Sequence, residues 1–402
     1  MGSSRPIETT KRLPRLIRNQ VIWSRIAKRI GRPVAWCTSG GPVELLLASG
    51  IVPFYPENHA AICSARGIAQ GLAEKAEEDR FSHDLCSYFR IDYGSFTTGR
   101  TPLGGVLAPD LVLVSNNICG TVQNWFRVAA DHFDVPFLFL DTPFSEEPCT
   151  ENDVAYARDQ LVHIARESAR IAGRTFDEKR LVPWVERARD TVETWKEVMK
   201  TASAKPAPFT SFDAFVHMAP IVSMRGTRRA LAYYRRLLAE LRGRAKAGIA
   251  AVPNERARAV WDNIAIWPAH RELKKTFRDA GVALVADTYT GAWGGVRLDP
   301  TDPLTGLARA YCDVLLNHGV KRRTQELTGL VREYSADGFI LHSNRSCKRY
   351  SLGQYAVRNT LSEATGVPGV IVEADMADPR SVSIDSIRQR LTPFFEMIGA
   401  HS

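Results

Sequence analysis

The chain has 402 residues, 45% apolar and 24% charged, with a formal net charge of +9; this suits two or three globular domains and excludes a disordered or collagen-like chain. No apolar run reaches the roughly 18 residues of a membrane span, and the N-terminus lacks the apolar core of a secretory leader, so the expected location is the cytoplasm. Seven scattered cysteines, an odd number, read as reduced thiols and not as a disulfide framework.

Residues 1–32 form a basic arm. Nine basic side chains from Arg5 to Arg32 stand against Glu8 alone, so most of the net charge sits here. Leu13, Leu16, Ile17, Val21, Ile26 and Ile30 recur near helical spacing, which predicts an amphipathic helix. A solvated arm, or one docked on a partner subunit, is the ordinary reading. Nucleic acid is not an expected partner, because no RNP, zinc-finger or helix-turn-helix signature is present.

Residues 33–149 read as an α/β domain. Strands are predicted at 33–37 and 51–55, the second ending in Pro56-Glu57-Asn58, with a helix over 42–49 between them. A further strand at 110–114 runs into Ser115-Asn116-Asn117-Ile118-Cys119, followed by a helix over 120–133 and a strand over 135–141. Residues 150–252 turn helical, with helices predicted over 154–171, 176–201 and 228–247, interrupted by Pro206 and Pro208. The α/β pattern resumes over 253–402. Strands at 257–267 and 282–286 flank a helix over 269–280, and the second strand ends in Asp287-Thr288. The strand Gly338-Phe-Ile-Leu341 then runs into Ser343-Asn344-Arg345-Ser346-Cys347, a helix over 348–365, a strand over 367–373 and a final helix over 384–398.

The two α/β stretches repeat one plan. Glu57 lies 62 residues before Cys119, and Asp287 lies 60 before Cys347. The expected fold is therefore two similar doubly wound parallel-sheet domains with a helical segment between them. Open parallel sheets bind ligands at the carboxyl ends of their strands, so the two strand-end thiols are expected to face one another across an interdomain cleft.

Several devices are absent. There is no phosphate loop, no dinucleotide-binding glycine fingerprint, no His-Glu-x-x-His helix and no Gly-x-Ser-x-Gly elbow, so the chain is not expected to hydrolyse ATP by itself. Thiols remain. Cys86, 33 residues before Cys119, is a third candidate. Three convergent thiolates suit an iron–sulfur cluster, while inert core cysteines are the bland alternative.

Beyond these features the chain resembles the benzoyl-CoA reductase and 2-hydroxyacyl-CoA dehydratase family. The resemblance rests on Pro42 to Gly50 (PVELLLASG), Leu85-Cys-Ser87, Asn117-Ile-Cys119 with Trp125, Val135-Pro136 to Asp141-Thr-Pro143, Asp337-Gly-Phe-Ile to Arg345-Ser-Cys347-Lys348, and Gly366-Val-Pro to Glu373-Ala-Asp375 with Asp378, Arg380 and Arg388. It implies that Cys86, Cys119 and Cys347 ligate one [4Fe-4S] cluster between the domains. Cys37, Cys63, Cys149 and Cys312 are then spare, with Cys312 the substitute ligand to test first. Ser39 and Glu57 take the places of residues that serve the substrate in related dehydratases; a helix cap and a loop carboxylate are the plain alternatives. His59 is either a proton donor or a polar cleft residue, and Arg66 and the Arg225 to Arg229 group are candidates for the phosphates of coenzyme A. The function expected from the resemblance is that of an iron–sulfur subunit of an ATP-dependent benzoyl-CoA reductase. The alternatives are a 2-hydroxyacyl-CoA dehydratase subunit and a noncatalytic electron-relay subunit. Implied partners are a paralogous cluster-bearing subunit, a cluster-carrying ATPase activator, reduced ferredoxin upstream and an acyl-CoA substrate.

Overall fold

The computed structural model describes residues 5–399. Two four-stranded parallel sheets share one plan. The first comprises β1 (Val34–Cys37), β2 (Val52–Phe54), β3 (Leu111–Ser115) and β4 (Phe137–Leu140) in the order β2-β1-β3-β4. The second comprises β5 (Ala257–Asp262), β6 (Val282–Asp287), β7 (Gly338–Asn344) and β8 (Gly369–Ala374) in the order β6-β5-β7-β8. The expected fold class is borne out. β1, β3, β5 and β6 are buried along their whole length, as strands are when helices cover both faces of a parallel sheet, and this explains their unbroken apolar runs. In each sheet the winding reverses between its two central strands, which opens a crevice at their carboxyl ends.

The elements differ from the sequence reading where one residue breaks a pattern. The strand expected over 257–267 stops at Asp262, because Asn263 adopts φ +96° and donates from Nδ2 to the His342 carbonyl at 2.6 Å. The helix expected over 348–365 divides into Lys348–Ser351 and Gln354–Thr365 at Gly353, whose φ of +75° suits glycine. The helix expected from residue 176 begins at Val182, after a 3-10 turn at Glu178–Arg180, with Pro183 in its first turn, where a missing N–H costs nothing.

The helices Glu151–Ile171, Val182–Lys200 and Arg228–Lys246 share one apolar cluster with the first sheet, running from Ala35 and Leu113 through Leu161, Val192 and Leu237 to Leu307. The basic arm forms a helix over Leu13–Arg29, as its spacing predicts, and lies on its own chain. Ile7 and Leu13 are buried, Lys28 Nζ meets both Asp110 carboxylate oxygens at 2.6 Å, and Arg25 donates to the carbonyls of Leu103 and Gly105. Among the described residues no helix is long and apolar enough to cross a membrane.

The halves are latched by buried polar contacts. The helix Ser87–Thr98 rests on Ala69–Glu78, with Gly94 so close that an added Cβ would overlap the Leu72 carbonyl. That helix carries Arg90, 1% exposed, which pairs with Glu77 at 2.6 Å and with Asp378 of the second half at 3.0 Å. Ser64 adds a bond to the Ala377 carbonyl at 2.8 Å.

Candidate active site at the facing strand ends

Each of the three expected thiols caps a helix: Cys86 before Ser87–Thr98, Cys119 before Gly120–Phe133 and Cys347 before Lys348–Ser351. Their approach follows from neighbouring bonds. The Ser87 N–H donates to Ser346 Oγ at 3.1 Å, and Ser346 Oγ in turn donates to Asp375 at 2.5 Å, so the residues beside Cys86 and Cys347 are tied together. All three cysteines pack on one apolar cluster with Tyr350 and Met376. Burial pushes each thiol's pKa up, Cys347 to about 12, and the sulfurs add to one another's shift: Cys347 and Cys119 act on Cys86, and Cys119 acts on Cys347. Backbone N–H groups three residues on, of Phe89, Val122 and Tyr350, oppose that rise. They do not form full capping bonds to sulfur, but their dipoles favour a thiolate, as helix N-termini do.

These residues fit a polynuclear group. The donor set itself, three soft thiols on one apolar cluster whose charges act on one another, is of the kind that iron–sulfur clusters take. Three residues before Cys347, Asn344, 1% exposed at the end of β7, leaves both side-chain amide atoms without a partner, and a buried orphan of this kind points to a group that binds there. Glu77, His83 and Asp378 converge within 4.8 Å of one another, but Arg90 and Arg380 already neutralise the two carboxylates.

Glu57 occupies the second position of the helix Pro56–Ala65, just past the end of β2. Its Oε2 accepts the Ser39 N–H at 2.5 Å. Burial pushes this carboxyl up to about 7, against the opposing pull of the Ser39 backbone and hydroxyl donors and with some addition from Asp92. Glu57 in turn raises Cys119, so carboxyl and thiol share one neighbourhood. The loop carrying Ser39 is pinned: Thr38 Oγ1 accepts the Ser115 N–H at 3.1 Å, and Asn117 Nδ2 donates to the carbonyls of Gly40 at 3.0 Å and Tyr311 at 2.9 Å. Ser39 caps no helix, since Pro42 precedes Val43–Ser49.

His59 takes a different direction. Two residues beyond Glu57 it lies about 200° around the helix, 4% exposed, with Nε2 on Thr101 at 2.8 Å, Nδ1 3.4 Å from Asp92, and Cys63 Sγ at 3.6 Å. Asp92 also accepts the Trp125 indole N–H at 3.0 Å. His59 thereby lines a cavity of about 70 Å³ beneath the N-terminal helix, which none of the three thiols borders. Cys37 is buried near Arg225, and Cys312 sits against Cys149 and the Asp153 carbonyl, apart from the thiol group. Arg225, a phosphate candidate in sequence, is committed elsewhere: 3% exposed, it meets Glu44 at 2.9 Å and the Tyr311 hydroxyl at 2.7 Å. Arg66, at the end of the Pro56–Ala65 helix, remains exposed.

One side chain at this edge escaped the sequence reading. Tyr289, half-buried, touches three of the apolar clusters, including the one on which the three thiols pack. Its only sequence signal is its place two residues past a strand end.

Comparison with known proteins agrees with this architecture. Residues 38–398 match the family described as 2-hydroxyglutaryl-CoA dehydratase, D-component. The chain is 31% identical to the alpha subunit of (R)-phenyllactyl-CoA dehydratase from Clostridium sporogenes, over 93% of this chain and 91% of that one. It is 31% identical to the alpha subunit of lactoyl-CoA dehydratase from Anaerotignum propionicum, over 94% and 93%. It is also 29% identical to a benzoyl-CoA reductase subunit from Thauera aromatica, over 88% and 86%. A match spanning nearly the whole chain, on the fold that its strand-end cysteines led us to expect, shows that this protein belongs to the 2-hydroxyglutaryl-CoA dehydratase D-component family.

Proposed function

We propose that the chain is the [4Fe-4S]-bearing subunit of a complex that eliminates water from a 2-hydroxyacyl-CoA thioester, with Cys86, Cys119 and Cys347 holding the cluster. The observation that carries this reading is Glu57, a carboxyl ionising near pH 7 and fixed on the Ser39 N–H in the neighbourhood of Cys119. When bound, the cluster supplies one-electron chemistry to the thioester. Glu57, half-protonated near neutrality, gives a proton to the departing hydroxyl group or takes one from the acyl chain, the two tasks a dehydration needs. Ser39 orients that carboxyl. His59, held by Asp92 and Thr101, fixes the helix that presents Glu57 instead of touching substrate. Arg66, Arg228 and Arg229, all exposed, are available to coenzyme A phosphates.

The dehydratase names of two of the cited relatives favour this chemistry over the reductase expected from sequence. A second reading, reduction of an aromatic acyl-CoA, keeps support from the Thauera aromatica relative. In either case the chain works in the cytoplasm beside a paralogous subunit. The family resemblance implies electrons from reduced ferredoxin through a separate ATPase, and the chain has no phosphate loop of its own. The test is an anaerobic assay of the assembled complex with an (R)-2-hydroxyacyl-CoA and with benzoyl-CoA. Enoyl-CoA formed over many turnovers per ATP supports the dehydratase; dienoyl-CoA formed with stoichiometric ATP and donor supports the reductase. No product from either, with a cluster spectrum that acyl-CoA leaves unchanged, supports a relay subunit.

A further inference from the structure

Cys347 is supported differently from the other two thiols. Cys86 and Cys119 lead helices of 12 and 14 residues, whereas Cys347 leads a single turn, Lys348–Ser351, which breaks off at Leu352 and at Gly353 with its φ of +75°. One turn of helix does not hold itself together in water, and its last carbonyls have no partners within it. Arg323, near the start of the helix Val320–Glu333 and 5% exposed, supplies those partners: Nη1 donates to the carbonyls of Tyr350 at 2.9 Å and Arg349 at 3.4 Å, and Nη2 to that of Leu352 at 3.2 Å. On the other side the Ser351 hydroxyl donates to the Asn344 carbonyl at the end of β7, at 2.8 Å. The turn is strapped between that strand end and one guanidinium.

Arg323 is not buried for the sake of an ion pair. Its Nε stands 3.8 Å from Asp262 Oδ2 at the end of β5, and neither atom has a hydrogen-bond partner. Arg90 and Arg225, by contrast, meet their carboxylates at 2.6 and 2.9 Å. Burying a cation is costly unless its N–H groups are satisfied, and here the carbonyls of one loop satisfy them. In the run Lys321-Arg322-Arg323 only the third side chain is buried, so the interior selects this arginine for the loop it reaches.

We propose that Arg323 is a positioning residue for the cluster: by gripping the carbonyl end of the turn it fixes Cys347, at the other end, as a ligand alongside Cys86 and Cys119. This rests on the cluster reading above and adds to it the group that holds the third thiol in place.

The test uses the full chain loaded anaerobically with iron and sulfide, as wild type, Arg323→Lys and Arg258→Lys. Lysine keeps a charge beside Asp262 but loses the planar fork of donors. Arg258 is the control, equally buried near the opposite end of β5, where it donates to the carbonyls of Ala202, Ser203, Ala204 and Tyr334. Competition with an iron chelator is expected to show about 10- to 100-fold weaker retention in Arg323→Lys, the usual effect of losing a group that orients a metal ligand, and retention near wild type in Arg258→Lys. Iodoacetamide followed by peptide mass spectrometry is expected to label Cys347 ahead of Cys86 and Cys119 in Arg323→Lys alone. Equal weakening in the two variants, or labelling of all three thiols together, marks general loosening of the fold and overturns the proposal, as does full retention in Arg323→Lys. Should Arg323→Lys not fold, Asp262→Asn with Arg323→Gln, which leaves no charge stranded, is read by the same two measurements. A wild-type chain that takes up no cluster removes the cluster reading itself, and this inference with it.

Discussion

Replacing Glu57 with glutamine separates the carboxyl's chemical task from its burden on the fold. Burial lifts its pKa from the ordinary 4.5 to about 7. A folded-state pKa above the unfolded one means that folding favours the protonated carboxyl. The contribution is fully present below about pH 4.5 and is lost as pH rises through about 7. Each unit of pH across that window removes about 1.4 kcal/mol, so the ionised group destabilises the fold by about 3 kcal/mol at pH 8. Glutamine has the same shape and no charge. In cluster-free protein, where no added anion disturbs the carboxyl, Glu57→Gln should leave the unfolding midpoint near wild type at pH 5 and raise it at pH 8. Some of that gain, about 1 kcal/mol, is offset because the Ser39 N–H then meets a neutral acceptor. In the loaded complex the same variant should retain its iron and lose about 10²-fold or more in turnover. A stability difference that does not change between pH 5 and pH 8 would refute the argument from burial, and unchanged turnover would leave Glu57 a bystander.

Further outcomes follow from other contacts. Cys119→Ala and Cys347→Ala should each lose iron and sulfide from anaerobic protein, whereas Cys312→Ala, sitting against Cys149, should keep both; metal analysis decides. Glu44→Ala strands the Arg225 guanidinium in the interior and should cost about 3–5 kcal/mol in denaturant unfolding, and Glu44→Ala with Arg225→Met should recover much of it. Gly94→Ala drives a methyl into the Leu72 carbonyl and should separate the helix that Cys86 caps from its neighbour, costing about 1–3 kcal/mol and lowering cluster retention; a variant as stable as wild type, with full iron content, would show that the close approach is dispensable.

The sequence by itself determined the local pattern and its repetition. Short runs of Val, Leu, Ala and Ile broken by polar turns specify buried parallel strands, because only a sheet covered on both faces needs side chains apolar at successive positions. The same runs place Cys119 and Cys347 beyond strand ends, since a cysteine five or six residues past an apolar run stands outside the sheet whatever the rest of the chain does. Tertiary structure decided what depends on partners far away in the chain or on the direction of a helix face. The contact that draws Cys86 to Cys347 joins Ser87 and Ser346, 259 residues apart. Arg225 reads as a free cation until the fold sets Glu44, 181 residues away, against it. His59 and Glu57 look like neighbours in sequence, yet two residues on a helix point to opposite sides.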